Sequence, residues 1–99
     1  MDVNKRLQQA CIRGDFKEID AALAEGANIN AIVDGYAILS GTIIFRQLEV
    51  AKYLCDKGAD VNARPKGGYA PVDYAEMYLP EIVGLLRKKG ASTIWGLDD

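Results

Sequence analysis

Three kinds of residue in this chain have the type and spacing for chemistry: two cysteines, two close pairs of carboxylates, and a pair of glycines. Cys11 and Cys55 are far apart, with no C-x-x-C motif and no four-cysteine metal set. Histidine is absent. That excludes Ser-His-Asp and Cys-His nucleophile arrangements and any zinc site built on imidazole. Asp56 with Asp60, and Asp73 with Glu76, have the closeness that an acid/base pair needs. No pocket is implied around them, and charged side chains at such spacing normally line a solvated face. Gly67-Gly68 lacks the G-x-G-x-x-G or G-K-Ser/Thr continuation of a phosphate-binding loop. The expectation is no catalytic residue, no metal site and no cofactor.

The elements that hold these residues are those of a small globular protein. The chain has 99 residues, of which 49% are hydrophobic and 26% charged, which suits one domain with one modest core. Its net charge of -2 and pI near 5.1 argue against a nucleic-acid partner. The start, MDVNKRLQQACIRGD, carries no apolar signal region, and the uncharged stretch 35–45 is far too short for a membrane span. A soluble protein of a reducing, cytoplasmic compartment is expected, with no membrane partner and both cysteines buried as small hydrophobes.

Internal repetition organises the chain. Gly-Ala recurs at 26, 58 and 90, intervals of 32, and GANINA at 26–31 echoes GADVNA at 58–63. Each Gly-Ala closes an amphipathic run. Phe16, Ile19, Ala22 and Leu23 precede the first; Leu48, Ala51, Leu54 and Cys55 the second; Ile82, Val83, Leu85 and Leu86 the third. Glycine after each run is the expected left-handed helix stop. Asp15 with Glu18 reads as a capping box, and Pro80 suits a first helical turn. Shorter helical runs over roughly 4–13, 38–45 and 71–78 come before these. No apolar alternation is sustained, so strands are not expected. The unit is helix, tight turn, helix, loop, in an all-α solenoid with units over about 2–31, 32–63 and 64–92 and a tail over 93–99.

With LEVAKYLCDKGADVNA at 48–63, APVDYA at 70–75, PEIVGLLRKKGA at 80–91 and LQQACIRGDFKEIDAALAEGANINA at 7–31, the chain resembles an ankyrin-repeat protein. The middle unit departs from the family's T-P-L-H turn with AILSG at 37–41: Ala37 and Ala70 replace its threonine, Ser40 and Asp73 its histidine. One residue is missing near Ile32 and another near Leu79, so tightened loops are expected there. Lys5, Arg6, Gln8 and Gln9 are expected to form a polar first cap, and Arg87, Lys88 and Lys89 the last. Trp95 and Leu97 are expected to cover the final unit.

The resemblance implies protein binding through a concave face made by loop tips and the ends of the first helices. Its loop-tip positions here are Val33, Asp34 and Tyr36, then Lys66, Gly67 and Tyr69. Its helix-end positions are Ile12 and Arg13, Ile44 and Phe45, Met77 and Tyr78. The partner-binding set is therefore Tyr36, Ile44, Phe45, Tyr69, Met77 and Tyr78, joined by Val33 and Asp34, with Arg13, Arg46 and Lys66 at the rim. Large rigid apolar groups of this kind favour interfaces. Tyr53 and Tyr74 are expected to pack between units. Asn30 and Asn62 are expected to satisfy loop backbone; the resemblance also makes them candidates for hydroxylation. The alternative reading is a weak homodimer that uses the apolar run Ile43–Phe45.

Overall fold

A computed structural model describes residues 2–93; the tail residues Trp95 and Leu97 lie outside that range. Among the described residues six helices fall in pairs: α1 (Val3–Arg13) with α2 (Phe16–Ala24), α3 (Ile38–Ile44) with α4 (Leu48–Asp56), and α5 (Pro71–Tyr78) with α6 (Val83–Lys88). The chain is mostly helical, as the periodicity predicts. Each second helix ends where a glycine follows, and Gly26, Gly58 and Gly90 all adopt left-handed backbone (φ 103°, 90° and 96°).

Leu7, Ile19, Ile38, Leu39, Ile43, Val50, Leu54, Val72, Leu79, Ile82 and Leu86 are fully buried and run through all three pairs as one core. Each pair alone has too little apolar surface to enclose, so burial is completed by stacking. A ladder of asparagines fixes that stacking. Asn4 Oδ1 accepts the Asn28 amide at 2.8 Å, Asn30 Oδ1 the Asp60 amide at 2.8 Å, and Asn62 Oδ1 the Ser92 amide at 2.9 Å. Loop backbone that would otherwise lack partners is thereby satisfied across units, the structural use expected for Asn30 and Asn62.

Four expectations need correction. First, the loop before α3 is a hairpin: β1 (Ile32–Val33) pairs antiparallel with β2 (Tyr36–Ala37). Asp34 (φ 54°) and Gly35 (φ 89°) form its two-residue turn, both left-handed as a type I′ turn requires. Second, the last helix does not start at Pro80. A 3-10 turn, Pro80–Ile82, comes first. Left-handed residues, Gly14 (φ 75°) and Arg46 (φ 59°), join the helices of the first two pairs; Leu79 instead is extended (φ -149°) and leads straight into proline. Third, only half of the capping box forms. Asp15 Oδ1 accepts the Glu18 amide at 3.1 Å, while Glu18 turns to the guanidinium of Arg6 at 3.3 Å. Fourth, the polar residues of α1 do not serve as a cap alone: Lys5 and Gln8 line a cleft between the first two units, and Gln9 lies beside both that cleft and Arg6.

Ser40 sits inside α3 with its hydroxyl buried and without a partner among the described residues. Burying an unmatched hydroxyl is unfavourable, and alanine is the better helix former. Ser40→Ala is expected to raise stability by about 0.5–1.5 kcal/mol in a urea titration. A loss of stability would show that the hydroxyl has a partner after all.

Candidate protein-binding cleft

The first helices of units one and two, together with the hairpin, enclose a cleft of about 590 Å³. Ile12 and Arg13 come from the end of α1, and Ile44 and Phe45 from the end of α3. Tyr36 and Asp34 come from the hairpin, and Lys5, Gln8 and Gln9 from the near face of α1. Gly41, in the middle of α3, lines the cleft too, and a Cβ built on it would meet nothing within 4 Å. Glycine in a helix interior costs about 1 kcal/mol relative to alanine. Here its missing side chain leaves the cleft open.

Hydrogen bonds and ion pairs hold the walls. Gln8 Nε2 donates to the Val33 carbonyl at 3.4 Å, and Lys5 pairs with Asp34, so α1 is tied to the hairpin. Gln47 Nε2 donates to the Ile12 carbonyl at 2.8 Å, joining the end of α1 to the start of α4. Arg46 donates to the Tyr78 carbonyl and so links the ends of α3 and α5. Both bonds satisfy carbonyls at a helix C-terminus, which have no partner within the helix.

The residues singled out in the sequence divide into two groups. Arg13, Asp34, Tyr36, Ile44 and Phe45 line the cleft together. Tyr69, Met77 and Tyr78 do not; they stand exposed on the third unit, Met77 at 58%. Tyr74 joins the groups, meeting Tyr36 and Tyr69 edge-to-face with ring centroids 5.8 and 5.7 Å away. Tyr36 and Tyr69 thus spend part of their surface on ring packing. Arg46 and Lys66 are exposed and do not line the cleft.

Val33 is not a free loop tip. It is half-buried and packs against the core, while its neighbour Ile32 is exposed. Ile43 also drops out of the surface: it is 0% exposed, so the run Ile43–Phe45 presents only Phe45 and part of Ile44. Tyr53 is half-buried, as between-unit packing requires. Its hydroxyl donates to Asp20 at 2.6 Å and its ring meets Phe16 edge-on. Sequence pattern does not mark Gly41 or the glutamines of α1 as site residues. The signal for Gly41 is an isolated glycine inside a helical run.

Reactive chemistry finds little here. Among the described residues no three side chains gather to hold a metal ion. Burial pushes the Cys11 thiol up to about 11, and burial also raises that of Cys55. Both are free thiols. In the folded chain both are expected to stay silent to a thiol-specific dye at pH 8 and to react fully in denaturant; rapid labelling without denaturant would contradict that. No helix among the described residues is long and apolar enough to cross a membrane.

The ankyrin repeat family model matches residues 36–66, from β2 through α3 and α4 into the following loop. This chain carries an ankyrin repeat. The match supports a protein-interaction module. Two curated proteins are also similar. One is the E3 ubiquitin-protein ligase hecd-1 of Caenorhabditis elegans, 31% identical over 93 residues, which is 91% of this chain. The other is the E3 ubiquitin-protein ligase Ufd4 of Drosophila melanogaster, 35% identical over 85 residues, which is 82% of this chain. The chain spans only 3% of the length of either ligase. The ankyrin match centres on the second helix pair, whose first helix supplies Gly41, Ile44 and Phe45 to the cleft.

Proposed function

We propose that this chain is a non-catalytic docking module that binds a partner protein on its concave face. The observation that carries the reading is the cleft: fold-neutral positions at helix ends hold Ile44 and Phe45, and a helix-interior glycine keeps the space before them open. Partner contact would continue over Tyr36, Tyr69, Met77 and Tyr78, with Arg13, Asp34, Arg46 and Lys66 around it. Docking needs little rearrangement, because cross-unit hydrogen bonds already hold the walls, and a preformed surface loses little entropy on binding. Val33 is left out of the set, since it packs on the core.

The three units act as one domain in this reading, divided near 2–31, 32–63 and 64–92. Their compartment is reducing, in keeping with two buried free cysteines, and we place it in the cytoplasm. The segment shared with the two ligases is then a docking segment and not a reaction centre, consistent with thiols that are buried and hard to ionise. Homodimerisation through Ile43–Phe45 is the weaker reading, because Ile43 is enclosed.

Affinity capture tests the proposal. Wild-type chain and a Tyr36/Phe45/Tyr69/Tyr78→Ala variant are compared on lysate of the source cell, with circular dichroism to show that the variant stays folded. A protein retained by the wild type alone is the expected result. Equal retention by both would move the site to another face.

A further inference from the structure

The charges and amides of the cleft bear on the chemistry of its occupant, an inference that rests on the docking function proposed for it. The charged side chains that line it are Lys5, Arg13 and Asp34, and each already has a partner. Lys5 is paired with Asp34, and Arg13 with Asp15 at 3.6 Å. The Lys5–Asp34 pair also ties α1 to the hairpin, beside the bond from Gln8 to the Val33 carbonyl. A carboxylate from outside would compete for Lys5, and an ammonium for Asp34. Either would loosen the tie that shapes the wall. The electrostatic complement of a wall whose charges cancel is a segment that carries none.

The amides narrow the class further. Gln9 lines the cleft, and its side chain has no hydrogen-bond partner among the described residues. Gln8 donates to the Val33 carbonyl, which leaves its Oε1 as an acceptor. A carboxamide offers donor hydrogens and an acceptor oxygen, the same two functions that a peptide group presents. A hydrocarbon ligand laid over these groups would displace their water and return no hydrogen bond, which is unfavourable. A peptide restores both bonds. Its backbone is free to do so only where it is extended or irregular, because a helix spends those groups internally. Beside the amides, Ile12, Tyr36, Ile44 and Phe45 line the same cleft, and nothing lies within 4 Å of a Cβ built on Gly41. An apolar space of this kind suits one large apolar side chain.

We propose that the cleft receives an uncharged, extended segment of the partner, with one large apolar side chain over Gly41 and its peptide groups hydrogen-bonded by Gln8 and Gln9.

Selection from a displayed library of random 12-residue peptides tests this, with three baits: wild type, Gly41→Leu and Gln9→Ala. Circular dichroism checks that each bait is folded. The leucine is placed without a clash at its Cβ, and Gln9→Ala keeps a good helix former in α1. The wild type is expected to enrich peptides with one aromatic or large aliphatic residue in a stretch free of Asp, Glu, Lys and Arg. Their affinity, read by fluorescence anisotropy, should fall at least roughly tenfold with Gly41→Leu and roughly three- to tenfold with Gln9→Ala. It should change less than about twofold between roughly 0.05 and 0.5 M salt, because no new ion pair is made. Charged peptides that weaken as salt rises and are lost with Gly41→Leu would overturn the uncharged-segment proposal and leave the docking cleft standing. Unchanged affinity with Gln9→Ala would overturn the proposal at its hydrogen bonds. The same peptides on wild type and Gly41→Leu would remove the cleft itself, and no enrichment at all would also overturn the proposal. Light scattering of the chain alone runs alongside: a dimer abolished by Gly41→Leu would overturn it by making a second copy the occupant.

Discussion

Replacing Phe45 with alanine is expected to weaken partner binding by about 2 kcal/mol, roughly thirtyfold, with almost no change in stability. Phe45 is 58% exposed at the end of α3, and its ring forms one wall of the cleft. Little of that ring is used by the fold, so its removal leaves no cavity in the core. A partner that covers it would bury a large rigid surface with only two side-chain torsions to fix. Titration calorimetry with the captured partner measures the first effect, and a thermal melt the second. Unchanged affinity would take Phe45 out of the interface; a large drop in melting temperature would make it a structural residue.

Two positions earlier, the outcome reverses. Ile43 is fully buried in the core. Ile43→Ala removes three carbons from a packed interior and leaves part of their volume empty, costing about 2–5 kcal/mol. A domain of this length is stable by about 5–15 kcal/mol, so the change takes a large share. Its melting temperature is expected to fall by at least about 8 °C. A near-neutral result in a urea titration would mean that the side chain faces outward, and would return the apolar run to the surface as a dimer contact.

That contrast shows what the sequence made legible. Helical spacing marks which face is apolar, and glycine after each run marks its end, so the three stops at Gly26, Gly58 and Gly90 could be read directly. The repeated GANINA and GADVNA gave away the stacking, because one unit's asparagine reaches the next unit's backbone. The hairpin at 32–37 escaped, since two-residue strands are too short to show alternation. Its cue was Asp34-Gly35 between apolar pairs. The 3-10 turn before α6 escaped because a missing residue near Leu79 removes the left-handed link, and periodicity does not register a deletion as a change of helix type.

The site was legible in a different measure. Phe45, Ile44 and Arg13 were found from their places at helix ends, and the structure sets them around one cleft. Gly41 was missed because patterns of apolar residues describe what fills a face, not what leaves a gap in it. That Val33 packs partly against the core was not legible for the same reason as the hairpin: two-residue strands leave no pattern to read.

The measurement that tests the central claim most directly is amide mapping by nuclear magnetic resonance, with isotope-labelled chain titrated by its captured partner. Docking on the concave face requires the largest shifts at Ile12, Arg13, Tyr36, Gly41, Ile44 and Phe45, with α2 and α4 little affected. Shifts concentrated on α2 and α4, with the cleft residues unmoved, would contradict it.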